Sequence, residues 1–401
     1  MWVTIPSVVE EMRNVFTFVS PGKLVFGVNA VTTLGDEAQL LKASRVLIVT
    51  DKGVEKAGLV EKVKSPLEEK KMSVQVFDAV EPEPSLKCAE ASAAIARGGK
   101  FDLIVGVGGG SSMDMAKVAA AMVTNPGSVS QYLGSYLLVN PTLPKILIPT
   151  TAGTGSEIST GAIVTDESHT KRWIIDTKNF ANVSLVDPMM TISLPPRQTA
   201  HTGLDALTHA IEAVMSIVKN PISDCLAYYA VRLIAKNLKT AYYQGSNLEA
   251  RYKMCLGATL AVLAQMNAGG SLAHSVSYVL HSHYGTTHGE GCAVALPYVM
   301  DYNLVTCEDM FRRVAEEMGI DVADLSNREA AIRAIEAVYT LLKDLDVPYC
   351  LREMKVSRTA LETLAEECQT KYPRPNTPRR VERQTLMNMW ERMWEGRITE
   401  Y

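Results

Sequence analysis

Short runs of consecutive apolar, largely β-branched residues constrain the first half of this chain more than any other feature. Arg45-Val46-Leu47-Ile48-Val49-Thr50 stops at Asp51. Val74-Gln75-Val76-Phe77 and Asp102-Leu103-Ile104-Val105-Gly106-Val107 follow, and Lys145-Ile146-Leu147-Ile148-Pro149 comes later. Between them, Val54 to Lys71 and Ser85 to Arg97 carry helical spacing. A strand that is apolar at nearly every position must be buried on both faces, and such strands alternating with helices predict a parallel sheet covered on both sides.

The pattern changes near Ser193-Leu194-Pro195-Pro196-Arg197, where two prolines stop the preceding element. Beyond Thr199 the strand signal fades. Helical periods run through Leu204–Ser216, Ser223–Lys239, Leu248–Met266, Ser271–Leu280, Arg328–Leu345 and Glu382–Glu395. The expected organisation is an α/β dinucleotide-binding domain at 1–198 and an all-helical, metal-binding domain at 199–401.

Composition narrows the function classes. Lys+Arg 40 against Asp+Glu 44, with aromatics at 6%, gives neither the electrostatic footprint nor the stacking platform of a nucleic-acid binder. Seven scattered cysteines without a CxxC pair read as reduced thiols in a cytoplasmic protein. Met1-Trp2-Val3-Thr4 lacks a basic segment followed by an apolar stretch, and no apolar run approaches the ~20 residues of a membrane helix, so neither a secretory signal nor a membrane partner is expected.

Gly106-Val107-Gly108-Gly109-Gly110-Ser111-Ser112 directly follows a predicted strand and opens a helix at Met113. Glycines let the backbone approach a pyrophosphate, and a helix N-terminus offers free N–H groups. The spacing is neither GxGxxG nor a P-loop, so a tight turn alone also explains it. Asp51, at the end of the first clear strand, suits a hydrogen bond to an adenosine ribose, favouring NAD over NADP; it suits a helix N-cap equally. Pro149-Thr150-Thr151-Ala152-Gly153-Thr154-Gly155-Ser156-Glu157 is a second loop of this kind at a strand end.

Asp205 and His209 lie four apart in a helical stretch and so share a face, where a carboxylate and an imidazole chelate one cation. This stretch and a second helical region downstream hold five of the seven histidines (His209, His274, His281, His283 and His288); His274 is read in a helix and His288 in the loop His288-Gly289-Glu290-Gly291. Such a pair is more often a surface or core contact; the clustering of the other histidines favours a metal site.

Taken together, Lys23-Leu24-Val25-Phe26-Gly27, Leu47 to Lys52, Gly108 to Lys117, Pro149 to Glu157, Gly203 to Glu212 and His288-Gly289-Glu290 resemble, in order and over nearly the whole chain, the iron-containing (group III) alcohol dehydrogenase family. The resemblance implies a dehydroquinate synthase-like fold with the active-site cleft between the two parts. It implies that Asp205, His209, His274 and His288 bind one divalent metal, usually Fe²⁺; the mixed N/O set also suits Zn²⁺. It implies that Gly108, Gly109, Gly110 and Ser111 hold the NAD pyrophosphate, that Thr150, Thr151 and Thr154 line the cofactor, and that Lys171 or Arg172 stands near the nicotinamide ribose.

Two departures from the family stand out. Where many members carry a relay histidine, this chain has Tyr278, leaving Tyr278, His281 or water and ribose hydroxyls as the relay; the family's ribose-side Asn is replaced within Glu81-Pro82-Glu83-Pro84, with Glu83 as counterpart. The expected activity is hydride transfer between NAD(H) and a short-chain alcohol or aldehyde. Ser159-Thr160-Gly161-Ala162 is expected to line the substrate pocket, and the basic segment Lys371 to Arg379 either binds an anionic substrate group or is solvated. A homodimer or larger homo-oligomer is the family's habit. The rival reading is a dehydroquinate-synthase-like lyase, which should surround its metal with Lys and Arg.

Overall fold

The computed structural model describes residues 15–398. The segment Met1–Thr4, on which the expectation about a secretory signal rests, and the outermost ends of both expected domains lie outside the described residues.

Nine strands are present among the described residues: β1 (Leu24–Phe26), β2 (Arg45–Val49), β3 (Ser73–Phe77), β4 (Leu103–Gly108), β5 (Gly134–Ser135), β6 (Lys145–Pro149), β7 (Gly161–Thr165), β8 (Lys171–Ile175) and β9 (Val183–Val186). The helices of the first half are α1 (Leu34–Leu40), α2 (Lys52–Lys56), α3 (Leu59–Glu69), α4 (Leu86–Gly98) and α5 (Gly110–Thr124). Those of the second are α6 (Pro196–Met215), α7 (Pro221–Tyr243), α8 (Leu248–Ala268), α9 (Leu272–Tyr284), α10 (His288–Met318), α11 (Asn327–Asp344), α12 (Leu361–Thr370) and α13 (Arg383–Glu395).

Six strands form one all-parallel sheet in the order β1-β9-β6-β4-β2-β3. Alternation along the pleat divides the apolar side chains between two layers. Leu47, Val49, Ile104 and Leu147 pack with α4 and α5 on one face, while Val46, Ile48, Leu103, Val105 and Ile146 pack with α1 and α3 on the other. β4, β6 and β9 are buried at every position, which is why β4 and β6 read as largely apolar runs; β9, interrupted by the buried Ser184, is not foreseen from the sequence.

The chain runs from β2 outward to β3 and then returns to the other side of β2 as β4, so strand order reverses between β2 and β4. In open α/β sheets the crevice beyond the carboxyl ends at such a switch point is where ligands bind. Asp51 and Gly108–Gly110 stand there. A small second sheet, β5-β8-β7, was not anticipated; β7 and β8 pair antiparallel through Ile163↔Trp173, with β7 against α5. The single helix expected over Val54 to Lys71 is two, α2 and α3, separated at Gly58.

Beyond residue 196 every described element is helical. The two prolines that end the sheet region also start α6, with Pro196 in its first turn, where a missing N–H is harmless. α7 and α11 begin with reciprocal capping boxes, Asn220–Ser223 and Ser326–Glu329. α6 is buried over nearly its whole circumference, as a helix at the centre of a bundle must be. Beyond its first turn its polar residues, among them Asp205, Thr208, His209 and Glu212, therefore sit inside the protein. No described helix is long and apolar enough to cross a membrane.

Candidate active site and metal centre

Asp205, His209 and Glu212 occupy positions i, i+4 and i+7 of α6 and so lie along one face. All three are buried. α9 brings His274 against that face, and α10 brings His288. The sequence places His288 in a loop; it is instead the first residue of α10, a helical segment that is kinked at Cys307. The adjacent glycine serves close packing: a Cβ at Gly289 would lie 2.5 Å from the His201 carbonyl oxygen.

One ligand atom from each of Asp205, His209, His274 and His288 falls within 4.8 Å of the others. Asp205 Oδ1 lies 3.5 Å from His288 Nε2 and 3.9 Å from His209 Nε2. Donors bound tetrahedrally at about 2.1 Å are about 3.4 Å apart, so the arrangement is close to what a cation requires. Asp205 Oδ1 and His274 Nε2 are buried and have no hydrogen-bond partner. Buried polar atoms are otherwise satisfied in folded proteins, so two converging orphans mark a place for a cation. Two of the imidazoles, those of His209 and His288, are suited to it as neutral ligands. Burial holds His209 down to about 4 against the pull of Asp205, and burial with the neighbouring His274 holds His288 down to about 3.

The second ring nitrogens of His274 and His288 are tied to the protein, whereas His209 Nδ1 is buried without a hydrogen-bond partner. His274 Nδ1 is 2.6 Å from Glu212 Oε2. Glu212 also accepts the backbone N–H groups of Ser271 and Ala273, each at 2.8 Å. Although burial alone would raise it, His274 and these donors hold the Glu212 carboxyl down to about 2. A carboxylate on Nδ1 fixes the tautomer that presents Nε2 to a metal. Sequence reasoning assigned Glu212 no role; its signal is the i+3 spacing from His209 on the same face. His288 Nδ1 is 3.1 Å from Ser277 Oγ.

A cavity of about 300 Å³ opens beside the quartet. Asp205, His209, His274 and His288 line it from the helical side, and Gly110, Ser111 and Thr154 from the sheet edge. α5 starts at Gly110 without a side-chain cap, leaving its first N–H groups facing this space. Asp51, Gly108, Gly109, Thr150 and Thr151 lie further along the sheet edge, outside that lining. Asp51 caps α2, accepting from Gly53 N and Val54 N, and its second oxygen accepts Ser112 Oγ at 2.9 Å. Gly108 takes φ +149°, and a Cβ there would meet Ser112 Cβ at 2.6 Å. The hydroxyls of Thr151 and Thr154 are buried without partners.

Of the two basic candidates, Lys171 lines the cavity, ion-paired with Glu83, whereas Arg172 points to solvent. Glu83 is held below its usual range: burial opposes this, but Lys171 prevails. Tyr278 lines the cavity with its ring stacked on His288, 5.4 Å between centroids. Burial pushes its hydroxyl up to about 12, so it stays protonated and donates rather than ionises. His281 is outside the lining, with Nδ1 2.9 Å from the Thr286 carbonyl. Ser159, Thr160 and Gly161 line the cavity; Ala162 is buried in β7 and does not. Lys371, Arg374 and Arg379 are likewise outside it: Lys371 pairs with Glu367, Arg374 donates to Ser275 Oγ, and Arg379 donates to the Tyr302 carbonyl.

Comparison with known proteins agrees with this geometry. The family profile for iron-containing alcohol dehydrogenase matches residues 21–188, and that for the C-terminal part of Fe-containing alcohol dehydrogenases matches residues 199–394. Long-chain-alcohol dehydrogenase 1 of Geobacillus thermodenitrificans is 40% identical over 391 residues, covering 96% of this chain and 99% of that protein. A crystal structure of 1,3-propanediol oxidoreductase superposes with a TM-score of 0.92 at 37% identity, covering 95% of this chain and all of that one (100%). A sulfoacetaldehyde reductase from Bifidobacterium kashiwanohense, solved in complex with NAD⁺, gives a TM-score of 0.85 at 27% identity, covering 95% of this chain and 99% of that one. With the quartet on α6, α9 and α10 facing a glycine-opened helix across one cavity, these matches place the chain in the iron-containing alcohol dehydrogenase family, as an oxidoreductase of alcohols and aldehydes.

Proposed function

We propose that this chain transfers hydride between NAD(H) and a short-chain alcohol or aldehyde, with one divalent cation, Fe²⁺ or else Zn²⁺, held by Asp205, His209, His274 and His288. The observation that carries this reading is the buried quartet with unpartnered donor atoms, opening into a cavity that the N-terminus of α5 also lines. When bound, the cation supplies Lewis-acid polarisation of a carbinol or carbonyl oxygen, and the nicotinamide carries the hydride.

The chain's own residues do the rest. Glu212 holds His274 in one tautomer. Gly108, Gly109, Gly110 and Ser111 bind the pyrophosphate at the α5 N-terminus, with Asp51 towards the adenosine ribose and Thr150, Thr151 and Thr154 along the dinucleotide. Lys171 faces the nicotinamide ribose. Tyr278 shields the cation and donates its hydroxyl proton to a hydrogen bond on the substrate side.

The same reading divides the chain into a nucleotide-binding domain, 1–198, and a metal-binding catalytic domain, 199–401, a division supported by the boundaries of the two family profiles. A cytoplasmic homodimer is proposed with it; the seven unbridged cysteines support a reducing compartment. Uncharged substrates are favoured over anionic ones, because Lys171 is the one Lys or Arg in the lining among the described residues and Glu83 neutralises it. That feature also disfavours the lyase reading. Thr208, on the metal-bearing helix, spends its hydroxyl on the Leu204 carbonyl.

The test is NADH absorbance with neutral and anionic short aldehydes after anaerobic reconstitution with Fe²⁺. Metal-dependent turnover that favours neutral aldehydes and is lost in Asp205→Ala, with the fold intact by circular dichroism, is expected. Full activity in metal-stripped enzyme refutes the reading.

A further inference from the structure

The turn Glu81-Pro82-Glu83-Pro84 contains a feature that cofactor binding does not explain. Glu83 takes φ +50°. Few side-chain-bearing residues adopt that left-handed backbone, and a following proline disfavours helical backbone further. Backbone in such a state persists only where the surroundings hold it. Hydrogen bonds from β7 hold the turn in place: Thr165 Oγ1 donates to the Glu83 carbonyl at 3.2 Å, and Thr165 N donates to the Pro84 carbonyl at 2.8 Å.

The Glu83 carboxylate reaches from the sheet half into the helical half. Oε1 accepts the backbone N–H of His288 at 3.2 Å. Oε2 pairs with Lys171 Nζ, which also donates to Thr165 Oγ1 at 2.9 Å. α10 has no local cap, since the Thr287 side chain makes no capping hydrogen bond. Its first N–H is instead satisfied by a carboxylate 205 residues away in sequence. A carboxylate at that end also complements the helix dipole. Lys171, only 3% exposed, lines the same cavity as the quartet.

We propose that Glu83 is a positioning residue of the metal centre: one carboxylate oxygen fixes the helix end that carries His288, and the other cancels the charge of Lys171 beside the cation. This role presupposes the metal centre proposed above. Three neutral imidazoles and one carboxylate leave a bound dication with net charge near +1, so an uncancelled ammonium in the same low-dielectric cavity opposes its binding. Glutamine at 83 retains an oxygen for the His288 N–H and removes only the charge.

The test is Zn²⁺ affinity of the apo full-length protein, measured against a chromophoric chelator, with thermal unfolding run alongside. Glu83→Gln, which leaves the Lys171 ammonium uncancelled, is expected to weaken Zn²⁺ binding at least about tenfold. Lys171→Met, which leaves the Glu83 anion unopposed, binds at least about threefold more tightly than wild type. The double variant returns to within about threefold of wild type, a rescue that a purely structural role for the turn does not give. Glu83→Gln within twofold of wild type overturns the proposal, as does a double variant as weak as Glu83→Gln. Should Glu83→Gln fail to fold, Lys171→Met decides alone, and binding no tighter than wild type overturns it. Asp205→Ala separates the two levels: Zn²⁺ binding that survives this change refutes the metal centre itself.

Discussion

Replacing Glu212 with glutamine isolates what the buried carboxylate does for His274. In the native chain Oε2 serves Ser271 N at 2.8 Å and His274 Nδ1 at 2.6 Å, while Oε1 serves Ala273 N at 2.8 Å. An amide has one acceptor oxygen. Placed towards His274, it leaves the NH₂ facing the Ala273 N–H; placed the other way, it turns three donors, Ser271 N, His274 Nδ1 and Gln265 Nε2, against the NH₂. Either way a buried donor goes unsatisfied, at about 1–3 kcal/mol, and the charge-assisted bond to His274 weakens as well. The depressed carboxyl points the same way: burial raises it, yet His274 and the backbone donors hold it down to about 2, so the folded chain favours the anion. The variant is therefore expected to lose about 2–4 kcal/mol of folding stability in urea titrations at pH 7.5. It should release Zn²⁺ to a chelator about 10–100 times faster, because the tautomer of His274 is no longer enforced. Unchanged stability together with unchanged release would refute the assignment of Glu212 as the group that orients His274.

Two further perturbations probe the sheet side. Burial pushes the Glu157 carboxyl up to about 7, so between pH 4.5 and 7 the folded chain holds a proton that the unfolded chain has released, and stability falls as pH rises through that window. Glu157→Gln is accordingly more stable than wild type by about 3 kcal/mol at pH 8.5 and by only about 1 kcal/mol at pH 5; the same difference at both pH values in urea titrations contradicts this. Gly108→Ala forces a Cβ to 2.6 Å from that of Ser112 at a left-handed backbone position, and is expected to raise KM for NADH at least about tenfold with a smaller change in kcat; steady-state kinetics showing unchanged KM removes Gly108 from the cofactor cradle.

Much of the site could be read from the sequence, but unevenly. Asp205 and His209 declare themselves because a helix places i and i+4 on one face, and α6 is a helix for most of its length. The central strands are equally legible, since burial on both faces demands apolar residues throughout. His288 was harder to place. Its glycine-rich surroundings look like a loop, yet Gly289 and Gly291 are glycine because a Cβ would meet His201 at 2.5 Å and Ser277 at 2.7 Å. Close packing and tight turning demand the same residue, so composition cannot tell them apart. The β7–β8 hairpin escaped because two five-residue strands leave little periodicity to detect. Glu83, Lys171 and His288 meet across separations of 88 and 205 residues, and nothing local in the sequence encodes such contacts.

The central claim is that four side chains on α6, α9 and α10 close on a single cation. Anomalous diffraction at the zinc edge, from crystals of the full-length protein soaked with Zn²⁺, tests it directly. One peak per chain is expected, about 2.0–2.2 Å from an Asp205 carboxylate oxygen and from Nε2 of His209, His274 and His288. A fully occupied peak elsewhere, or none at the quartet in crystals whose dissolved protein shows metal-dependent turnover, would contradict it.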